Sequence, residues 1–234
     1  QIQPLPINSG VFCLKKDRFQ DVVWIGTDGQ GVYLYSNPLY SIKSMVLSNY
    51  TEKIERPVRA IYLDDERTFW VGTKGNGILK IYDYEFDKNI SDCRAEVLTT
   101  SNSALSSNAV YCFAKSHRNL LWIGDEEGLT YYSYREKRIK SIPIRMGNED
   151  FKYIHDIYET ADSELWLASV GMGVVKARIA GTPDNPVIVD AQRYIINDGE
   201  LGSNYFFTIY AENETNLLFG NKGYGVFRYN ETTN

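Results

Sequence analysis

Trp24-Ile-Gly-Thr-Asp-Gly-Gln-Gly31 recurs as Trp70-Val-Gly-Thr-Lys-Gly-Asn-Gly77, as Trp122-Ile-Gly-Asp-Glu-Glu-Gly128, as Trp166-Leu-Ala-Ser-Val-Gly-Met-Gly173 and, without its tryptophan, as Leu218-Phe-Gly-Asn-Lys-Gly-Tyr-Gly225. All four tryptophans of the 234-residue chain occupy one slot, and 13 of its 18 glycines fall in these five segments, so the chain is an internal repeat. Successive copies start 46, 52, 44 and 52 residues apart. That period matches the roughly 40 to 50 residues of a propeller blade and exceeds an ankyrin or leucine-rich unit.

Each copy is flanked by strand-like runs. About twelve residues upstream lie Val11-Phe-Cys-Leu, Val58-Arg-Ala-Ile-Tyr, Val110-Tyr-Cys-Phe, Ile154-His-Asp-Ile-Tyr and Phe206-Phe-Thr-Ile-Tyr, each followed by a polar turn. The tryptophan strand, a glycine-bearing hairpin and a third strand such as Val32-Tyr-Leu-Tyr or Val226-Phe-Arg-Tyr come next. Looser fourth runs are Lys140-Ser-Ile-Pro-Ile-Arg and Ala191-Gln-Arg-Tyr-Ile-Ile. The pattern predicts an all-β chain of four-stranded antiparallel propeller blades, five blade repeats over residues 1–234, with no sustained helical period. The later glycines of each copy are expected to supply positive φ in a bulged hairpin, and the glycine two residues after the tryptophan to let sheets approach. The tryptophans are expected between blades.

Composition agrees. With 43% hydrophobic and 24% charged residues and a mean hydropathy of −0.35, the chain is of ordinary globular type. It carries 25 basic and 30 acidic residues, a net charge of −5, which lacks the basic footprint of a nucleic-acid binder. No apolar run is long enough for a membrane helix. Three cysteines, Cys13, Cys93 and Cys112, form no CxxC pair, so neither a disulfide framework nor a zinc site is written into their spacing. After the fifth copy a third strand follows and no fourth. Residues 1–7 could supply that strand and close a five-bladed ring; alternatively, the five units are consecutive blades of a longer propeller.

The units LSSNAVYCFAKSHRNLLWIGDEEGLTYYS (105–133) and VVWIGTDGQGVYLYS (22–36) resemble the two-component regulator propeller repeat, in which a Leu-Ser/Gly-Ser-Asn lead-in and an acidic turn precede Leu-Trp-Ile-Gly-Thr and Gly-Leu/Val. The resemblance covers all five units and departs from the pattern at Leu218, in the tryptophan slot, and Ala168, in the first glycine slot. It implies the periplasmic part of a membrane-anchored hybrid two-component sensor of a polysaccharide-degrading bacterium, in which seven blades are usual. It also implies a non-enzymatic role: sensing a glycan-derived oligosaccharide, as a homodimer in the parent protein, with output on polysaccharide-utilisation genes. A lyase-like propeller enzyme and a protein-interaction scaffold are the alternatives.

Antiparallel strand direction places the turn after the second strand beside the lead-in to the first. One face therefore gathers Asp28, Gln30, Lys74, Asn76, Asp125, Glu126, Met172, Lys222 and Tyr224 from the turns, and Asn8, Arg56, Arg59, Asn108, Tyr153, His155, Asn204 and Tyr205 from the lead-ins. Rings beside amides, arginines and carboxylates suit sugars. Catalysis has little support. His117 and His155 are expected on opposite faces, too far apart for a shared metal, and no nucleophile motif accompanies His155 and Asp156. No catalytic residue, metal or cofactor is expected. Cys13, Ala60, Cys112, Asp156 and Thr208 share the third position of the first strand, a cramped slot in which Asp156 stands out as either channel-lining or held by backbone. Asn49, Asn89, Asn213 and Asn230 begin sequons that would matter only in a eukaryotic secreted protein.

Overall fold

A computed structural model describes residues 7–36, the backbone of 41–45, and residues 56–85, 92–197, 200–213 and 215–231. Among these the chain is all β, without an α-helix. It comprises five small antiparallel sheets in propeller-blade order, each strand pairing with its neighbour in sequence. Blade 1 contains β1 (Val11–Lys16), β2 (Val22–Thr27), β3 (Val32–Ser36) and β4 (Ser41–Met45); blade 2 contains β5 (Val58–Leu63), β6 (Phe69–Thr73), β7 (Ile78–Ile81) and β8 (Ala95–Leu98). Blade 3 has β9 (Val110–Lys115), β10 (Leu120–Asp125), β11 (Leu129–Ser133) and β12 (Arg138–Ile142), followed by a short hairpin of β13 (Arg145–Met146) and β14 (Glu149–Asp150). Blade 4 has β15 (Ile154–Glu159), β16 (Glu164–Ser169), β17 (Gly173–Thr182) and β18 (Asn185–Tyr194); blade 5 has β19 (Phe206–Ala211), β20 (Asn216–Asn221) and β21 (Gly225–Asn230). The strand proposed for residues 1–7 falls almost wholly outside the described residues, as do the sequons at Asn49 and Asn89.

Two compact units divide the chain. The first, Gln1–Asn102 with Asn108–Val110, holds blades 1 and 2; the second, Ser103–Ser107 with Tyr111–Asn234, holds the rest. In the first unit Trp24 is fully buried among Val58, Ile61, Phe69 and Leu79 of blade 2. Its ring lies 4.5 Å from Phe69 and 4.9 Å from Tyr84, so it fills the space between two sheets as its slot predicts. In the second unit Trp122 plays the same part between blades 3 and 4, and Trp166 between blades 4 and 5.

A buried indole needs an acceptor for its N–H. Trp24 Nε1 donates to Asp17 Oδ2 at 3.0 Å and Trp70 Nε1 to Asp64 Oδ2 at 2.8 Å. The other oxygen of each carboxylate caps the turn: Asp17 Oδ1 accepts from the Phe19 and Gln20 amides, and Asp64 Oδ1 from those of Glu66 and Thr68. In blade 3, where Ser116 stands in place of the aspartate, Trp122 Nε1 donates instead to Glu159 of blade 4 at 2.7 Å. The polar turns of blades 1 and 2 thus anchor their tryptophans from one end.

The expected bulge lies elsewhere than in the hairpin. The pairing of the first and second strands slips by one residue between Val11 and Cys13, Val58 and Ala60, Ile154 and Asp156, and Phe206 and Thr208. In these four blades the second residue of the first strand is therefore an extra one without a cross-strand partner. The fourth strands also differ from expectation: β12 starts at Arg138 and β18 at Asn185, because β17 and β18 continue as a ten-residue ribbon beyond a second register shift at Arg178/Ile179.

The first glycine of the signature sits opposite the third residue of the first strand, Gly26 opposite Cys13, Gly72 opposite Ala60 and Gly220 opposite Thr208. A Cβ on Gly26 would lie 2.5 Å from Cys13 Sγ and 3.3 Å from Val58 of the next blade. At Gly124 the intruding atoms are Cys112 Sγ at 2.5 Å and the Ile154 carbonyl oxygen at 2.6 Å. The close approach is thus to both the facing strand and the following blade.

Candidate functional site

The backbone brings turns and lead-ins together, unit by unit. In the first unit Asp28 N donates to Gly10 O and Lys74 N to Pro57 O; in the second, Val170 N donates to Tyr153 O and Lys222 N to Tyr205 O. Each signature turn is thereby pinned to the start of its own first strand.

Several of the expected site residues spend their polar atoms on this framework. Asn204 O accepts the amides of Gly171 and Gly173, while its side chain accepts from Ile196 N at 2.7 Å and donates to Ile196 O at 3.0 Å. Asn108 repeats the arrangement in the first unit: its carbonyl takes the Gly75 and Gly77 amides, and its Oδ1 the Thr100 amide. Asn76 Oδ1 accepts from Arg56 N, and Gln30 Oε1 from Tyr33 OH. Met172 accepts from Lys152 N through sulfur and from Arg193 Nε through its carbonyl. Asp28, Lys74, Lys222 and Tyr224 are exposed. The lead-in asparagines are therefore clamps between blades.

Aromatic side chains are what the second unit leaves open. Tyr153 and Tyr205 are 41% and 43% exposed and flank Val170, which bridges to Tyr205 and donates to Tyr153. Tyr153 holds φ at +56°, unfavourable for a bulky side chain, with its amide fixed on Glu126 O. Lys222 Nζ stands 5.3 Å over the Tyr205 ring. The bulge residues His155 and Phe207, with Tyr111 at the equivalent place in β9, form a second row. Tyr111, second in β9, stacks on His155 at 4.2 Å and 13°, and His155 meets Phe207 edge-on at 5.3 Å and 80°. Bulges re-aim side chains out of the strand alternation. Only His155 of these three was among the expected residues; Tyr111 and Phe207 were not. In the first unit the corresponding pair is Arg59 over Phe12, 3.8 Å from guanidinium carbon to ring centroid. The Arg59 Nε is buried with no acceptor among the described residues.

Asp156, Cys13, Cys112 and Asp125 belong to the scaffold. Asp156 Oδ1 accepts from Ile157 N, and its Oδ2 accepts from Thr208 Oγ1 at 3.1 Å and Ile209 N at 2.7 Å, tying blade 4 to blade 5. Of the two alternatives for this residue, the backbone-held one is found. Burial pushes the Cys13 thiol up to about 11, and burial together with the Asp156 charge pushes Cys112 well above the ordinary thiol range. Both thiols are free. Asp125 is pushed up to about 6 by burial, which outweighs the donors around it: Ser106 Oγ at 2.6 Å and the amides of Glu127 and Gly128. Among the described residues no three His, Cys, Asp or Glu side chains gather as metal ligands, and no helix is long and apolar enough to cross a membrane.

No family model matches the chain. Translation initiation factor 6 of Saccharolobus solfataricus is 31% identical over 140 residues, which cover 54% of this chain and 57% of that protein. The chain thus spans a little over half the length of this curated relative. Among solved structures, PorZ, an essential bacterial surface component of the type-IX secretion system of Porphyromonas gingivalis, aligns with a TM-score of 0.67 at 14% identity, over 94% of this chain and 32% of that one. The extracellular domain of BT4673 of B. thetaiotaomicron, named there a one-component system, aligns at 0.62 and 16%, over 98% and 43%. That of the hybrid two-component system BT3049 from the same organism aligns at 0.54 and 18%, over 98% and 34%. At these identities the likeness is one of fold. The chain shares its fold with the extracellular domains of B. thetaiotaomicron one- and two-component systems, as the resemblance of its repeat to the two-component regulator propeller implies.

Proposed function

We propose that this chain is a non-catalytic, extracytoplasmic ligand-sensing propeller region of a membrane-anchored hybrid two-component sensor, and that it takes a glycan-derived oligosaccharide. In this reading the parent protein is a homodimer whose kinase and regulator modules act on polysaccharide-utilisation genes. The observation that carries the ligand class is the aromatic group of the second unit, the exposed Tyr153, Tyr205 and Phe207 with the half-buried His155 among them, presented at two successive lead-ins by a strained backbone and two bulges. Sugar C–H faces stack on such rings, and Lys222 beside Tyr205 offers a donor to hydroxyls. In the first unit the Arg59 guanidinium, lacking an acceptor at Nε, suits a hydroxyl or carboxylate of the same ligand class. The shared fold with sensor extracellular domains supports the role, and among the described residues the clamped Asn108 and Asn204 and the backbone-held Asp156 spend their polar atoms on the scaffold, which favours binding over catalysis.

The test is calorimetric titration of the purified chain with a panel of oligosaccharides, with product analysis of the same mixtures. Saturable binding without turnover is expected, weakened about tenfold by Tyr205→Ala or Phe207→Ala, in line with about 1 to 2 kcal/mol per lost ring contact. Turnover of any glycan would refute the non-catalytic reading; binding indifferent to both substitutions would refute the site.

A further inference from the structure

In the first unit the turn and lead-in face carries positive charge that the fold does not use. Arg59 is the bulge residue of β5, set between the buried Val58 and Ala60. Its guanidinium carbon stands 3.8 Å from the centroid of Phe12, the bulge residue of β1. Among the described residues nothing accepts a hydrogen bond from any Arg59 nitrogen or pairs with its charge; Nε is enclosed, and the two terminal nitrogens reach solvent. A guanidinium held on a ring keeps its orientation and leaves its outer donors free.

Two more cations belong to the same lead-in and turn. Arg56 is exposed, its amide is tied to Asn76 Oδ1 at 3.1 Å, and its Cγ lies 3.5 Å from the place a Cβ on Gly75 would take, so the side chain runs along the turn. Lys74 is exposed, with its amide on Pro57 O at 2.9 Å. Neither forms an ion pair among the described residues. Asp28 is the one carboxylate in the turns and lead-ins of blades 1 and 2, residues 7–10, 28–30, 56–57 and 74–76. In the second unit the corresponding cations are spent: Lys152 pairs with Glu127, and Lys222 sits over Tyr205. Unspent positive charge gathered on one blade of a chain whose net charge is −5 favours an anion there.

We propose that Arg59, seated on Phe12 and backed by Arg56 and Lys74, is a carboxylate receptor, and that the oligosaccharide taken by this chain is an acidic one whose uronic-acid carboxylate the terminal nitrogens of Arg59 hold. The inference rests on the glycan-sensing reading above and adds the charge of the ligand to it. A planar guanidinium meets a planar carboxylate with two parallel N–H···O bonds, each stronger than a bond between neutral groups. The two outer cations attract the anion without fixing its geometry.

The probes are oligosaccharides of galacturonate, glucuronate and mannuronate, each beside its carboxyl-reduced, uncharged counterpart, titrated calorimetrically into the full chain. At least one acidic member is expected to bind saturably and at least about tenfold more tightly than its reduced counterpart, with the preference shrinking as salt rises. Arg59→Gln should cut that preference below about threefold, and Arg59→Lys should restore only part of it, because an ammonium keeps the charge and loses the paired donors. The comparison of acidic with reduced sugars on the unsubstituted chain stands whether or not the variants fold. Reduced sugars bound as tightly as the acidic ones, or a preference that survives Arg59→Gln, overturn this proposal and leave the glycan-sensing reading standing. Binding of neither kind of sugar overturns both.

Discussion

Asp125→Asn should make this protein more stable at neutral pH. Thr27, Thr73, Asp125, Ser169 and Asn221 end the second strands of the five blades, and in blades 1 and 2 the threonine hydroxyl donates to a glycine carbonyl across the turn. In blade 3 the signature is one residue shorter and the polarity inverts: Asp125 Oδ1 accepts from the Glu127 and Gly128 amides. The side chain is fully buried, and its pKa is raised from 3.8 to about 6. A carboxyl whose folded pKa exceeds its unfolded one favours the folded state below about pH 4 and loses that advantage as pH rises through about 6. At pH 7 and above the folded state therefore carries a penalty of up to about 3 kcal/mol, at 1.36 kcal/mol per unit. Asparagine keeps an Oδ1 for both amides and can donate to Ser106 Oγ from its Nδ2, so it removes the titration and preserves the cap. Urea unfolding followed by tryptophan fluorescence from pH 4 to 8 checks this. The stability of the variant relative to the parent should rise by roughly 1 to 3 kcal/mol between pH 4 and pH 7.5 and then level off. Parallel pH curves for the two proteins, or a variant that loses ground as pH rises, would refute the reasoning.

Two further substitutions test the frame. Asp64→Ala removes both the acceptor for the buried Trp70 indole and the cap on the Glu66 and Thr68 amides, so a loss of about 3 kcal/mol is expected in urea unfolding; less than about 1 kcal/mol would mean the carboxylate is not anchoring the tryptophan. Gly124→Ala drives a methyl group against Cys112 Sγ and the Ile154 carbonyl, and should lower stability by about 2 to 3 kcal/mol, with Cys112→Ala in the same chain restoring part of it because only the sulfur contact is relieved.

The strands, the buried tryptophans and the turn glycines were legible because each repeats five times or nearly so. The bulges were also written in the sequence, in a different period. Apolar residues buried toward the preceding blade are Val58 and Ile61, Ile154 and Ile157, and in the same places Phe206 and Ile209, three residues apart instead of two. A strand that keeps one face buried across a three-residue step must carry an extra residue. That residue is Phe12, Arg59, His155 or Phe207, and aligning the units puts Tyr111 in the same column of rings and one guanidinium. Strict alternation puts His155 and Asp156 on opposite sides but gives no reason to single out their neighbours. The roles of Asn108 and Asn204 were beyond the sequence for another reason: an amide in a loop reads the same whether it faces a sugar or clamps the backbone of the preceding blade, and only the position of Thr100 or Ile196 distinguishes the two.

Blade 4 shows how a departure from the repeat is accommodated. In blades 1 and 3 the third residue of the first strand is a cysteine whose sulfur lies over the facing glycine, and a Cβ on that glycine would meet it at 2.5 Å. Blade 4 has Ala168 in the glycine slot, paired with Asp156. The aspartate oxygen does not lie inert over the opposing strand as the sulfur does: it reaches sideways to Thr208 Oγ1 and Ile209 N of blade 5. The alanine and the aspartate belong together, because a side chain drawn toward the next blade leaves room for a methyl group across the strand. The carboxylate that stood out in the cramped slot is therefore the interblade tie that makes the missing glycine tolerable, and the same charge, added to burial, keeps the neighbouring Cys112 thiol protonated.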